Sequence, residues 1–301
     1  MKNGVFYSIQ AFQSFLSYFP VLTMPCRETV DYPITHYENF PVASILLPRH
    51  LRRPVQTIYA FARQADDFAD EGDDPPAVRL ARLNQFRAEL DRIEQGEINE
   101  LQLFRDLALI IREHQLPMQC FRDLLDAFSQ DVTQSRYQHF GEVMEYCRRS
   151  ANPIGRLMLH LYRLTDARAL AYSDGICSAL QLINFLQDIA IDYQKGRVYL
   201  PQDELAQYGI TEQQLANGEP SAQWWSFMQF QISRTRNLLQ AGAPLGKQLK
   251  GRIGLEMRLI IMGGDTILKK LHDVRGDVFH ARPILKPADW LYMIYRAVRS
   301  K

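Results

Sequence analysis

The sequence predicts an all-α protein, a single helical bundle around a central cavity. Apolar residues recur at three- and four-residue spacings over nearly the whole chain from residue 50 onward, the period of a helix with one buried face. The two-residue alternation of a half-buried strand is nearly absent. Breaks between the apolar stripes fall at proline, glycine and acidic clusters, and none is long enough to link two domains. No repeat of about 30 to 45 residues exists, which argues against a stacked helical scaffold.

Taken in order, residues 1–34 are expected to form a mobile N-terminal extension and residues 35–301 the helical domain. The extension holds Phe6, Tyr7, Ile9, Phe12, Phe15, Leu16, Tyr18 and Phe19, interrupted by serines and glutamines, so it lacks the clean apolar run of a signal peptide. A first helix runs to the acidic cluster before Asp73-Asp74-Pro75-Pro76. Leu80, Leu83, Phe86, Leu90 and Ile93 mark the second, stopped by Gly96. Stripes over 101–114 and 118–129 are separated by Leu116-Pro117, and a stripe over 141–163 carries Asn152-Pro153. The next, 167–193, ends at Lys195-Gly196; those over 222–241 and 246–272 follow Asn217-Gly218-Glu219-Pro220; the last, 287–299, follows Arg282-Pro283.

The 301 residues carry 35 basic and 34 acidic side chains, a net charge of +1, so no global field recruits nucleic acid. Cys26, Cys120, Cys147 and Cys177 lack metal-binding spacing and read as core thiols of a reducing compartment, which makes the cytoplasm the expected location. No apolar run reaches the roughly 18 residues of a transmembrane helix. His114, His139, His160, His272 and His280 have no partner at metal-ligand spacing and are expected to be structural or exposed.

Chemistry concentrates in two acidic segments. Asp66-Asp67-Phe68-Ala69-Asp70-Glu71 and Asn184-Phe185-Leu186-Gln187-Asp188-Ile189-Ala190-Ile191-Asp192 each place aspartates four residues apart in apolar, helix-forming surroundings. On a helix, Asp66 then stacks with Asp70 and Asp188 with Asp192, and like charges so placed repel. A solvated face explains this poorly, because the second segment follows Ala179, Leu180, Leu182, Ile183, Phe185 and Leu186, a run apolar nearly all round. A hard divalent cation would neutralise the carboxylates, and magnesium commonly bridges a few carboxylates to phosphate oxygens. If the two helices face one another, four aspartates meet at one cavity mouth. A diphosphate substrate follows as the expectation.

Tyr59-Ala60-Phe61-Ala62-Arg63-Gln64-Ala65 leading into the first acidic segment resembles the first aspartate-rich motif of the squalene and phytoene synthases. Gln181-Leu182-Ile183-Asn184 through Asp192, followed by Gly196-Arg197-Val198-Tyr199-Leu200-Pro201, resembles the second motif and its trailing loop, and the similarity spans about His36 to Pro287. His36-Tyr37-Glu38-Asn39-Phe40-Pro41-Val42-Ala43-Ser44, Leu46-Leu47-Pro48 and Cys147-Arg148-Arg149-Ser150-Ala151-Asn152-Pro153-Ile154-Gly155-Arg156 narrow the likeness to the hydroxysqualene-forming branch of hopanoid biosynthesis. Glu38-Asn39 departs from the small hydroxyl residues that other members often carry after the histidine.

The resemblance implies an isoprenoid-synthase-type fold and magnesium-assisted ionisation of presqualene diphosphate, with water capturing the rearranged cation. Two or three magnesium ions are expected on Asp66, Asp70, Asn184, Asp188 and Asp192, with Asp66, Asp70, Asp188 and Asp192 as the catalytic carboxylates. His36, Arg63, Tyr146, Gln181, Arg197 and Tyr199 are expected to bind the isoprenoid diphosphate, and Asp131 is a further acidic candidate. Arg63 shares a helix face with Asp66 and Asp67, where it can reach a phosphate or brace a carboxylate. Phe40, Phe61, Phe185, Tyr146 and Tyr199 are candidates to line a dry cavity around the cation, although aromatic residues at helical spacing usually belong to the core. No NADPH is expected, on the strength of the branch resemblance.

Alternatives stay open at this point: a sibling prenyl transferase making presqualene diphosphate, dehydrosqualene or phytoene, or a non-catalytic helical assembly factor, against which both intact acidic motifs speak. Functional coupling to other squalene-pathway enzymes is an expectation of the same resemblance. The C-terminal run Trp290-Leu291-Tyr292-Met293-Ile294-Tyr295-Arg296-Ala297-Val298-Arg299 has the composition of an interfacial helix at the inner membrane face, and a packed last helix accounts for it equally well.

Overall fold

The computed structural model describes residues 47–280 and 282–299. The N-terminal extension, Cys26, His36, Glu38, Asn39 and Phe40 lie outside the described residues. Within them the chain folds as α1 (Arg49–Asp70), α2 (Pro76–Gln95), α3 (Gln102–His114), α4 (Met118–Thr133), β1 (Arg136–Tyr137), α5 (Phe140–Ser150), α6 (Asn152–Leu161) and α7 (Ala167–Gln187). There follow α8 (Ile189–Gln194), β2 (Val198–Pro201), α9 (Gln202–Gln207), α10 (Glu212–Asn217), α11 (Ala222–Gly242), α12 (Leu245–Gln248), α13 (Gly251–Asp273) and α14 (Pro287–Arg299).

Local chemistry sets many of these boundaries. Pro76 occupies the first helical position of α2, where a missing N–H costs nothing, and Gly96 ends that helix in the left-handed region at φ 73°. Asp166 caps α7 by accepting from the Ala169 amide at 3.0 Å, and Ser221 caps α11 through the Trp224 amide at 3.1 Å. Arg79 of α2 donates to the carbonyls of Ala69 (2.5 Å), Gly72 (2.5 Å) and Asp74 (2.8 Å), so a guanidinium satisfies the C-terminal end of α1 where the first acidic motif lies.

Helices α1 to α4 and α6 enclose one apolar cluster, with Phe61, Phe104, Phe121 and Leu157 fully buried in it. A second cluster is built from α7, α11, α13 and α14 around Ile183, Phe227, Leu239, Leu268 and Trp290. Between them a smaller group joins Ala127 of α4, Tyr137 of β1, Tyr146 of α5, Phe185 of α7 and Tyr199 of β2. Helix α7 is the spine, packing against α5, α6, α11 and α13. Its closest approaches are made by glycines: a Cβ on Gly242 of α11 would sit 2.5 Å from the Tyr172 carbonyl, and one on Gly155 of α6 would sit 2.3 Å from Ser173 Oγ.

Three long stripes are divided, the first at the expected Asn152-Pro153 break and the other two where the sequence pattern reads through. The 141–163 stripe divides at Ala151, because Pro153 cannot donate to a continuing helix and restricts the residue before it. The 246–272 stripe splits into α12 and α13 around Leu249 and Lys250, which leave the helical region. The 167–193 stripe ends α7 at Gln187, and Asp188 takes φ −106°, ψ 11°, the sparsely populated bridge region favoured at functional turns. Asp188 therefore sits at the kink itself, with Asp192 on the short helix beyond it, rather than both lying within one continuous helix. One helical bond from the Asp192 amide to the Asp188 carbonyl, 2.7 Å, still keeps them a turn apart.

A short parallel sheet was not legible either: β1 pairs with β2 through Arg136 opposite Val198 and Tyr137 opposite Pro201, with an irregular register. It places Tyr199 in a strand instead of a free loop. Among the described residues, no helix is long and apolar enough to cross a membrane.

Candidate active site

The first acidic motif occupies the last turn of α1, with Asp66 buried and Asp70 as the final helical residue. Arg63, one turn earlier, approaches Asp66 at 3.6 Å and pairs with Asp67 at 2.5 Å and Glu71 at 2.8 Å. Burial pushes the Asp66 carboxyl well above the usual carboxylate range, and repulsion from Asp70 adds to it against the pull of Arg63.

The second motif begins on the last turns of α7, where Gln181 and Asn184 are buried on successive turns, and crosses the kink to Asp188 and Asp192. Burial raises the Asp192 carboxyl to about 8, helped by Asp188 and Asp70 and opposed by Lys195 and Arg197. Asp70 is among the charges that raise the Asp192 carboxyl, so the ends of the two motifs face a common space, although the four aspartates do not close into one cluster.

Arg197 joins them. It follows the left-handed turn at Gly196 (φ 78°), and its Nη2 donates to Asp70 Oδ1 at 2.5 Å and to the Asp131 carbonyl at 3.2 Å. Asp131, on α4, is the centre of the polar floor: Tyr146 donates to Oδ2 at 2.8 Å and Tyr199 to Oδ1 at 3.1 Å. Burial raises Asp131 to about 7; Asp70 pushes the same way, while Arg197 and the two hydroxyls hold it down. Burial keeps both tyrosine hydroxyls protonated far above their ordinary range.

Around this floor the aromatic rings pack closely, one pair of them face to face. Phe185 and Tyr199 stack with centroids 4.0 Å apart and planes 6° from parallel; Tyr146 lies 5.9 Å from Phe185 and 5.6 Å from Tyr199. Tyr146, Phe185 and Tyr199 are thus buried together in one aromatic cluster, whereas Phe61 packs apart from them, against Phe86, Phe104 and Phe121 in the α1–α4 core. It lies on the face of α1 that helix packing requires to be apolar. Tyr137, 5.6 Å from Tyr199, belongs to the aromatic group and was missed, because nothing in its local sequence distinguishes it from a loop tyrosine.

Arg282 was also missed. Its guanidinium donates from Nε to Asp188 Oδ1 and from Nη2 to Asp188 Oδ2 at 3.2 Å, a bidentate pair, while Gln187 Nε2 donates to the Pro283 carbonyl at 2.6 Å. The sole sequence signal was an Arg-Pro break before the last helix. Burial nonetheless leaves Asp188 above its ordinary range in spite of Arg282.

Cation chemistry fits these residues. Asp70 Oδ2 is buried with no hydrogen-bond partner among the described residues, and the buried carboxylates repel one another. Among the described residues, no three Asp, Glu, His or Cys side chains converge closely enough to hold an ion by themselves. Any ion here would take part of its shell from substrate oxygens or water, which suits magnesium. Three of the other histidines are peripheral: His139 pairs with Asp203, His280 with Asp277, and His272 packs on Trp225. Cys120, Cys147 and Cys177 are free thiols.

The family model for squalene/phytoene synthase matches residues 35–289. The hydroxysqualene synthase of Rhodopseudomonas palustris is 37% identical over 267 residues, covering 88% of this chain and 89% of that protein. That of Zymomonas mobilis is 34% identical over 248 residues, 81% and 82% of the two chains. The crystal structure of squalene synthase HpnC from Alicyclobacillus acidocaldarius superposes with a TM-score of 0.74 at 32% identity, covering 80% of this chain and 90% of that one. A dehydrosqualene synthase complex shares the fold at a TM-score of 0.71 and 20% identity, covering 85% and 88%. With both acidic motifs and the surrounding helices inside the matched span, the chain belongs to the squalene/phytoene synthase family.

Proposed function

We propose that the chain is a hydroxysqualene synthase, converting presqualene diphosphate and water to hydroxysqualene and diphosphate. The observation that carries an ionising role is the convergence of two acidic motifs about Arg197, above the aromatic group of Tyr146, Phe185 and Tyr199. Relatives named hydroxysqualene synthase, matched over more than four-fifths of this chain, support the choice of substrate.

Asp66, Asp70, Asn184, Asp188 and Asp192 would hold magnesium, which when bound supplies Lewis acidity to the diphosphate oxygens as the C–O bond breaks. Arg63, Arg197 and Arg282 present guanidinium donors that can turn from carboxylates to phosphate oxygens. Gln181, one turn before Asn184, offers a buried amide for the same head group. Asp131 fixes the Tyr146 and Tyr199 hydroxyls, so that the aromatic cluster stands rigidly beside the isoprenoid and its electron-rich rings would favour a passing cation. His36 would complete the diphosphate site from the segment before α1. The reaction as written consumes water and no reductant, and the expected setting is cytoplasmic, beside an enzyme that supplies presqualene diphosphate.

The test is incubation of the purified full chain with magnesium and either presqualene diphosphate or farnesyl diphosphate, with and without NADPH. Hydroxysqualene formed from presqualene diphosphate alone, carrying ¹⁸O from labelled water, is the expected result. Consumption of farnesyl diphosphate only would assign the chain to the prenyl-transferring siblings. No turnover of either, with Asp66→Ala and Asp188→Ala complementing a deletion, would make it a non-catalytic member.

A further inference from the structure

The outward face of α14 is apolar where solvent-facing helices are ordinarily polar. Trp290, Met293 and Ala297 are buried against α13, which satisfies the inward stripe. On the opposite side Leu291, Tyr292, Tyr295 and Val298 are 66, 61, 57 and 54% exposed. At 100° per residue these four lie within one third of the helix circumference. The helix therefore carries two apolar faces, of which only one is used by the fold.

Charge distinguishes what could cover the second face. Arg296 and Arg299 belong to it, with their guanidinium carbons 5.7 Å and 5.2 Å from the Tyr292 and Tyr295 rings. Lys286 precedes the helix, beside the half-exposed Ile284. The acidic residue of α14, Asp289, is turned inward and paired with Lys270 at 2.8 Å. The exposed face is thus aliphatic and aromatic with a cationic border and no carboxylate of its own. Tyrosine rings sit well at the boundary between head groups and acyl chains, and arginines on their flexible stems reach lipid phosphates while the rings insert.

We infer that this face docks the protein on an anionic bilayer, with α14 lying in the plane of the interface, Leu291, Tyr295 and Val298 entering the acyl boundary, and Arg296, Arg299 and Lys286 engaging lipid phosphates. The inference rests on the helix face and is independent of the reaction proposed above. A second copy of this chain is a poorer occupant, because an isologous contact would cover Arg296 and Arg299 while the one carboxylate of α14, Asp289, is already paired with Lys270.

Flotation of the full chain with phosphatidylcholine vesicles, with and without phosphatidylglycerol, tests it. The wild type is expected to float with the anionic vesicles, at least about tenfold more than with neutral ones, and to be released by salt that screens the arginines. Leu291→Glu combined with Tyr295→Glu is expected to abolish flotation at an unchanged melting temperature, and Arg296→Glu with Arg299→Glu to lose the anionic preference. Wild-type protein left in the soluble fraction overturns the inference, as does undiminished flotation of the Leu291/Tyr295 variant. So does a fall in melting temperature of that variant, which would show the face covered by the chain itself, or a dimer that it dissociates, which would show a second copy as the occupant.

Discussion

Arg282 clamps Asp188 with two hydrogen bonds from a loop tied down next door by Gln187, so a guanidinium already occupies one carboxylate of the second acidic motif. Asp188 is only 1% exposed, and an uncompensated buried carboxylate is costly. Arg282 therefore contributes as a counter-ion to Asp188, and under the proposed function the same carboxylate would be released when the guanidinium turns to a phosphate.

Arg282→Ala is expected to destabilise the metal-free chain by about 2 kcal/mol, between the values for exposed and fully buried pairs, since Arg282 itself is partly exposed. Magnesium should raise the melting temperature of the variant more than that of the wild type, because the ion then replaces the missing countercharge. Thermal unfolding across a magnesium titration checks both, and an equal response of the two proteins would remove Asp188 from the metal site.

Tyr146 and Tyr199 each satisfy one oxygen of Asp131. Tyr146→Phe is expected to cost about 1 to 2 kcal/mol at pH 8, where the carboxylate is ionised and accepts strongly. In an Asp131→Asn background the cost should fall by about 1 kcal/mol, a coupling measurable by a double-mutant cycle in urea. Additive effects would mean that the two groups do not act together.

How much of this was legible follows the range of each interaction. Asp66 and Asp70 could be paired from sequence because the helix that stacks them is local, and the apolar run before Asp188 already argued for burial. The meeting of Asp131, Tyr146 and Tyr199 could not, since α4, α5 and β2 bring them together and each residue alone suits a core or a surface. Arg282 lies 94 residues from Asp188 and is preceded by no helical pattern, so only the resemblance to a family could have flagged its segment. The kink at Asp188 escaped because apolar periodicity runs straight through it, and β1 is too short to show any period.

Close packing of α7 on α11 makes Gly242 sensitive and supplies its own control. Gly242→Ala would drive a Cβ to 2.5 Å from the Tyr172 carbonyl and 2.6 Å from Ile176 Cγ1, forcing the helices apart. A loss of about 1 to 3 kcal/mol is expected. Gly141, on α5, has nothing within 4 Å of an added Cβ, so Gly141→Ala should be neutral or slightly stabilising through the unfolded chain. Paired chemical denaturation curves separate overpacking from a general effect of replacing helical glycine.

Glu256, on α13 facing Tyr162, gives a pH dependence away from the acidic motifs. Burial alone raises its carboxyl to about 7, and Oε2 has no hydrogen-bond partner among the described residues. A carboxyl whose folded pKa exceeds its unfolded one keeps its proton in the folded state longer than in the unfolded chain, so stability falls as pH rises from about 4.5 to about 7 and then levels. Glu256→Gln keeps the shape and removes the titration. The variant should match the wild type at pH 4 and exceed it by about 1 to 2 kcal/mol at pH 8, the full shift being discounted for the partial exposure of the side chain. Urea unfolding at the two pH values reads this difference directly; an advantage of equal size at both would assign the effect to packing against Tyr162 and not to the buried charge.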